Sequence, residues 1–69
     1  MFSTMLEGQW RQLRGKIKEQ WGELTDDDLD RANGKYDQMV GLLQERYGYS
    51  KADAESRLSG FLDNILAQV

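Results

Sequence analysis

The chain has 69 residues and a net charge of −3, and it contains no proline, cysteine or histidine. This length suits one small domain, and the lack of cysteine and histidine removes disulfides, thiolate metal sites and the commonest general base. The excess of acidic residues disfavours non-specific binding to nucleic acid or to an anionic membrane.

The first predicted element is a helix over residues 4–22. Apolar side chains recur there at steps of three or four residues and fall on one stripe: Leu6, Trp10, Leu13, Ile17, Trp21 and Leu24. The start, MFSTMLEG, lacks the regions of a signal peptide, and no apolar run approaches the roughly 20 residues that span a bilayer. We therefore expect a soluble, cytoplasmic protein without a membrane segment.

A second, short helix is predicted over residues 26–32. Thr25 is followed by three aspartates, a pattern typical of a helix start, where a side-chain oxygen and negative charge satisfy unpaired N–H groups. Asn33 and Gly34 both tolerate the left-handed conformation that commonly ends a helix. The cap residues thus predict both ends of this helix.

Two further helices are predicted over residues 35–47 and 51–66. The first of these two helices carries the apolar stripe Tyr36, Met39, Val40, Leu43 and Tyr47. Gly48 follows this stripe directly and predicts a C-terminal cap. Ser50 precedes Asp53 by three residues, as Thr25 precedes Asp28, and this spacing predicts a second capped helix start. No segment shows the alternation of a strand, so the predicted class is all-α.

The chain repeats itself. Residues 8–22 align without a gap on residues 34–48 at an offset of 26, with identical residues at five positions. Each copy ends at a glycine and is followed by a capped helix, so the repeated unit is a helical hairpin. We predict a single domain over residues 1–69, in which two such hairpins cross and close one core as a four-helix fold.

Trp10, Trp21, Tyr36 and Tyr47 occupy equivalent places in the two copies. They lie within the apolar stripes, so we interpret them as core residues. The alternative is an exposed platform that stacks bases or anchors a partner.

Gly15 and Gly41 stand in mid-helix, opposite the apolar stripe of each copy. A helical glycine costs about 1 kcal/mol relative to alanine, so the matched pair needs an explanation. They either merely loosen their helices or form a face that a partner's backbone approaches closely. Leu42 lies off its stripe and is expected to be partly exposed, and with Phe2 and Leu66 it is a candidate for self-association.

Arg11, Arg14 and Lys18 fall on one side of the first helix and form a candidate phosphate-binding side. Glu7 shares that side, and an ordinary solvated surface is the alternative. Asp26, Asp28 and Asp30 have the spacing of a calcium loop, but Arg31 stands where that loop requires glycine. We therefore predict no metal site and no cofactor.

Several short motifs, in order, resemble the CsbD-like family of small bacterial stress proteins. They are Gly8-Gln9-Trp10, residues 15–22 (GKIKEQWG), residues 24–28 (LTDDD), Gly34-Lys35, Asp37-Gln38 and residues 44–49 (QERYGY). The resemblance covers about residues 8–55. It implies a cytoplasmic general stress protein with a fold similar to SAM domains, and it brings no catalytic residue or cofactor.

We predict a non-enzymatic protein that acts by binding another protein or a second copy of itself. Without histidine or cysteine, and with little room for a concave pocket, neither catalysis nor a small-molecule substrate is expected. A nucleic-acid-binding module that uses the basic side of the first helix is the first alternative. A hydrophilic protectant of other proteins under stress is the second, suggested by the polar composition.

Overall fold

The computed structural model describes residues 2–67, which form five α-helices. They are α1 (Phe2–Gly8), α2 (Trp10–Gln20), α3 (Asp26–Ala32), α4 (Tyr36–Tyr47) and α5 (Lys51–Ala67). The all-α class is confirmed, and within the described residues no strand is present. Side-chain surroundings are described from residue 4 onward, so the environment of Phe2 lies outside the described part.

The single helix predicted over residues 4–22 is wrong, because the chain breaks between α1 and α2. Gln9 leaves the helical region at φ −118° and ψ 22°, although its N–H still bonds the Met5 carbonyl at 3.0 Å. Its own carbonyl accepts from the N–H of Leu13 and starts α2. The break turns α1 toward α4, against which it packs.

The ends of the other helices follow the predicted caps. Thr25 and Asp28 form a reciprocal capping box, with both bonds at 3.1 Å, and Asn33 ends α3 in the left-handed conformation at φ 49°. Gly48 ends α4 at φ 71°, and the Ser50 hydroxyl accepts from the Asp53 N–H at 3.0 Å. Each of these caps depends on residues close in sequence, which is why the sequence predicted them.

α4 lies at the centre of the fold and packs against α1, α3 and α5. The core takes its side chains from all five helices and from two residues of the α2–α3 connection, and its buried apolar members are Leu6, Leu13, Ile17, Trp21, Leu24, Leu29, Ala32, Met39, Val40, Leu42, Leu43, Ala54, Leu58 and Leu62. Burial of these apolar side chains supplies the main drive for folding. The prediction of a partly exposed Leu42 is wrong: it is 6% exposed, because α3 covers its side of α4.

Candidate functional site

The mid-helix glycines leave open surface on two helices. Gly15 and Gly41 are both exposed, and a Cβ built on either meets no atom within 4 Å beyond its own helix. Gly41 also lines a recess of about 210 Å³ between α3 and α4, together with Gln38 and Leu42. These positions are accessible to a partner, and the charged side chains of Arg31 and Glu45 also line the recess beside Gly41.

The basic side predicted on the first helix is a bridge between α2 and α3. Arg14 pairs with Asp30 at 2.9 Å, and Lys18 pairs with Asp26 at 2.8 Å. The pairing with Lys18 lowers the pKa of the Asp26 carboxyl. Arg11 is exposed, and within residues 2–67 it makes no ion pair. Because two of the three cations are neutralised by aspartates, little positive charge remains for a phosphate backbone.

The four aromatic residues of the repeat differ in burial. Trp21 lies in the core, whereas Trp10, Tyr36 and Tyr47 are half-buried against it. The Tyr47 hydroxyl accepts from the Glu23 N–H at 3.0 Å, so this tyrosine ties the end of α4 to the α2–α3 connection.

Tyr36 makes a similar clamp to α5. Its hydroxyl lies 2.8 Å from the Ser59 hydroxyl and 3.4 Å from the Glu55 carbonyl oxygen. The apolar bodies of both clamping tyrosines thus contact the core while their hydroxyls are hydrogen-bonded, as amphipathic aromatics require.

A second aromatic cluster joins α5 to the rest of the molecule. The rings of Trp21 and Phe61 are 5.1 Å apart and tilted, and Tyr49 stacks on Tyr47 at 5.4 Å. The Arg57 guanidinium lies over the Tyr49 ring, 4.4 Å from the ring centre. The sequence pattern did not predict these contacts, since Phe61 meets Trp21 from a distant part of the chain and Arg57 reaches Tyr49 across the start of α5.

Asp28 is the one buried charged residue in the described part of the chain, and it is 1% exposed. Its carboxylate accepts two bonds from Arg46 of α4, at 3.0 Å from Nε and 2.8 Å from Nη2. The same carboxylate accepts from Arg31 and from the Thr25 N–H. We call this set of bonds between Asp28 and the two arginines the fork, and it joins the start of α3 to the end of α4. The fork occupies the Asp28 carboxylate, which a calcium loop would need as a ligand.

The arginine pairing and the cap bond hold the pKa of the Asp28 carboxyl well below its ordinary range. Unfolding releases that carboxyl to a pKa of about 4, so the unfolded chain binds a proton more readily than the native protein. The resulting stability is present above about pH 4 and is lost as the pH falls toward the native pKa.

We expect the urea midpoint to fall steeply below about pH 4, and Asp28→Asn to flatten that fall. An equally steep fall in the variant would contradict this assignment.

The surface beside Asp28 is polar and charged. The recess beside it, about 530 Å³, is open and lined by Thr25, Asp27, Asp28, Asp30, Arg31 and Arg46. In the part of the chain that the structure describes, no three acidic side chains converge on one point that could hold a metal ion. The charged and polar side chains that line this recess can bind a partner through ion pairs and hydrogen bonds.

Comparison with known proteins decides the family. Residues 4–56 match the CsbD-like family model, which is most of the chain. The chain is a member of the CsbD-like family. A UPF0337 protein of Pseudomonas aeruginosa is 54% identical over 65 residues, covering 94% of this chain and all of the relative. The UPF0337 protein YjbJ of Escherichia coli K12 is 59% identical over 51 residues, 74% of each chain.

The family match and the two relatives confirm the predicted family. CsbD-like proteins are bacterial and stress-related. The matched segment ends at residue 56, inside α5. The second half of α5 lies beyond the segment that the family model matches, although the Pseudomonas aeruginosa relative aligns with 94% of this chain. Between residues 2 and 67, no helix combines the length and the apolar character needed to cross a bilayer.

Proposed function

We propose that this CsbD-like protein acts by binding protein, and that it associates with a second copy of itself through the end of α5. Leu66 carries this proposal, because it is 49% exposed and is the large apolar side chain that the described surface leaves most open. Ile65 and Phe61 lie half-buried on the same half of α5. A second copy that covers these side chains removes apolar surface from water.

We propose the open glycines as a further contact surface for a protein partner. Gly15 and Gly41 carry no side chain that would hold a partner's backbone away from α2 or α4. Leu42 is not part of this surface, since it is buried under α3. Of the three cations on the predicted basic side, Arg11 is available to an acidic partner, while Arg14 and Lys18 form ion pairs with α3.

The proposed function includes no catalysis and places the protein in the bacterial cytoplasm. The lack of histidine and cysteine and the charge-paired surface around Asp28 support a binding role over an enzymatic one. Nucleic-acid binding is disfavoured, because Asp26 and Asp30 neutralise the basic side of α2.

We also propose that the domain is built from two crossed hairpins, α2–α3 and α4–α5, as in SAM-like folds, with α1 as an addition. The packing of α4 on α5 supports the second hairpin, and the ion pairs from Arg14 and Lys18 to α3 support the first. The repeat of residues 8–22 at 34–48 supports a common origin for the two units.

Leu66→Glu is expected to weaken self-association, because it places a charge in the proposed apolar contact. Sedimentation equilibrium should show the apparent mass of the wild type rising with concentration, and the variant should need about ten times more protein for the same rise. Ala67→Glu is the matched control, since it adds the same charge at the neighbouring exposed position. A wild-type protein that keeps the monomer mass at every concentration would contradict the proposal.

A further inference from the structure

The two copies of the repeat close the core differently at two helix contacts. At an offset of 26, Arg46 at the end of α4 corresponds to Gln20 at the end of α2. Asp28 and Asp53 are 25 residues apart and are equivalent in their helices, because each is the third residue after the cap of α3 or α5. The contact of α3 with α4 therefore has a counterpart between α5 and α2. We call these two contacts the α3/α4 seam and the α2/α5 seam.

The α3/α4 seam is closed by charge. Arg46 bonds Asp28 through two nitrogens, and the carboxylate is 1% exposed. The guanidinium and the carboxylate are planar and match each other in width, so each satisfies the other's hydrogen-bonding groups. The helices on either side pack directly against each other.

The α2/α5 seam lacks this pair. Gln20 replaces the arginine, and Asp53 turns to Arg57 of its own helix, with an Nε–Oδ2 distance of 3.2 Å. The Asp53 side chain is 46% exposed. A recess of about 470 Å³ opens between the two helices instead, and it is lined by Gln20, Trp21, Arg57, Gly60, Phe61 and Asn64. Gly60 lines this recess, and a Cβ there would meet nothing within 4 Å.

The groups in the α2/α5 seam offer hydrogen-bond donors to an outside acceptor. Arg57 uses only Nε for Asp53, and within residues 2–67 its two terminal nitrogens have no hydrogen-bond partner. Its guanidinium lies on the Tyr49 ring, which fixes its position. The side-chain amides of Gln20 and Asn64 make no hydrogen bond to the described chain.

The charge of the seam selects an anionic ligand. Among the described side chains that line the recess, Arg57 is the one that carries a charge. Asp53, which pairs with its Nε, and Asp63 on the same helix do not line the recess. The lining is therefore cationic, although the whole chain carries a net charge of −3.

We propose that the α2/α5 seam binds an acidic segment of a partner protein. A carboxylate of that segment accepts two bonds from the terminal nitrogens of Arg57, because Nε of Arg57 is bonded to Asp53. In the α3/α4 seam, by contrast, Asp28 accepts from Nε and one terminal nitrogen of Arg46. The amides of Gln20 and Asn64 bond the main chain of the segment, and an aliphatic side chain next to the carboxylate packs on Phe61. This inference rests on the proposed function, namely that the protein acts by binding protein, and it adds a site next to the end of α5, with which it shares Phe61.

The probe is a blocked ten-residue peptide of glutamates with two leucines, titrated into the ¹⁵N-labelled full-length protein at low salt. We expect saturable shifts of the Gln20 and Asn64 side-chain amides, of the Trp21 indole N–H and of the Arg57 Nε–H. The same peptide with glutamine for glutamate, and free acetate, should cause no saturable shift. A short single-stranded oligonucleotide is titrated as a further arm, and stronger shifts at the seam with it than with the peptide would overturn the proposal.

Two variants locate the binding. Arg57→Gln should weaken peptide binding about tenfold or more, because it removes a charge-assisted pair. Gly60→Leu should block it by filling the recess, while raising helix propensity. Arg11→Gln removes an exposed cation from another face and should bind like the wild type. The proposal would be overturned if no saturable shifts appeared at the seam. It would also be overturned if Arg57→Gln and Gly60→Leu bound the peptide as tightly as the wild type does. Self-association through Leu66, measured by sedimentation on the same samples, reports separately on the proposed function.

Discussion

Replacing Gly34 with alanine is expected to lower the free energy of unfolding by about 2–4 kcal/mol. Gly34 is buried at φ +82°, where a side chain strains the backbone. An added Cβ would lie 3.0 Å from the Glu7 Cα and 3.4 Å from both the Leu6 carbonyl oxygen and the Trp10 Cβ. Two of these three atoms belong to the backbone of α1, so relief requires moving that helix off the turn before α4.

The measurement is urea unfolding followed by far-UV circular dichroism. Gly41→Ala is the matched control, because the same atom is added in an exposed helix interior with nothing within 4 Å. It should raise the free energy of unfolding by about 0.5–1 kcal/mol. If both variants changed stability alike, the close approach of α1 to Gly34 would be wrong.

Asp28→Asn is expected to cost about 2–3 kcal/mol of stability. The substitution removes the negative charge that Arg46 and Arg31 share, and it weakens the capping box at the start of α3. Arg46 is 38% exposed, so water recovers part of the loss and the cost stays below that of a fully buried pair.

Asp53→Asn is the matched control for this experiment. Asp53 occupies the same cap position in α5, but its side chain is 46% exposed and it makes one bond to Arg57. It should cost at most about 0.5 kcal/mol. A double-mutant cycle of Asp28→Asn with Arg46→Gln should give a coupling energy of about 1–3 kcal/mol. Additive single effects would show that the fork does not join α3 to α4.

Helix boundaries fixed by nearby residues could be predicted from the sequence. The ends of α3 depend on Thr25, Asp28 and Asn33, which all lie within one or two turns of the boundary they set. The break at Gln9 could not be predicted in this way. Apolar residues keep helical spacing from Leu6 to Trp10 across it, and its cause is the packing of α1 on α4, which is distant in sequence.

The burial of side chains outside the main apolar stripes could not be predicted from the sequence either. Leu42 lies to the side of the apolar stripe of α4, and only the position of α3 shows that this side is covered. Asp28 was predicted as a capping residue, which it is, but its fork with Arg46 joins residues 18 apart in the chain. The α2/α5 seam likewise emerges only when Gln20 and Arg57 are placed across from each other.

In the proposed function, this CsbD-like protein acts through protein contacts made by the end of α5. An isotope-filtered NOE experiment on an equal mixture of ¹³C-labelled and unlabelled protein tests it directly. We predict intermolecular NOEs from the Leu66 methyl groups to Phe61 or Ile65 of the other copy, and their loss in Leu66→Glu. Intermolecular NOEs that arise only from another face, or none at concentrations where the protein is associated, would contradict the claim.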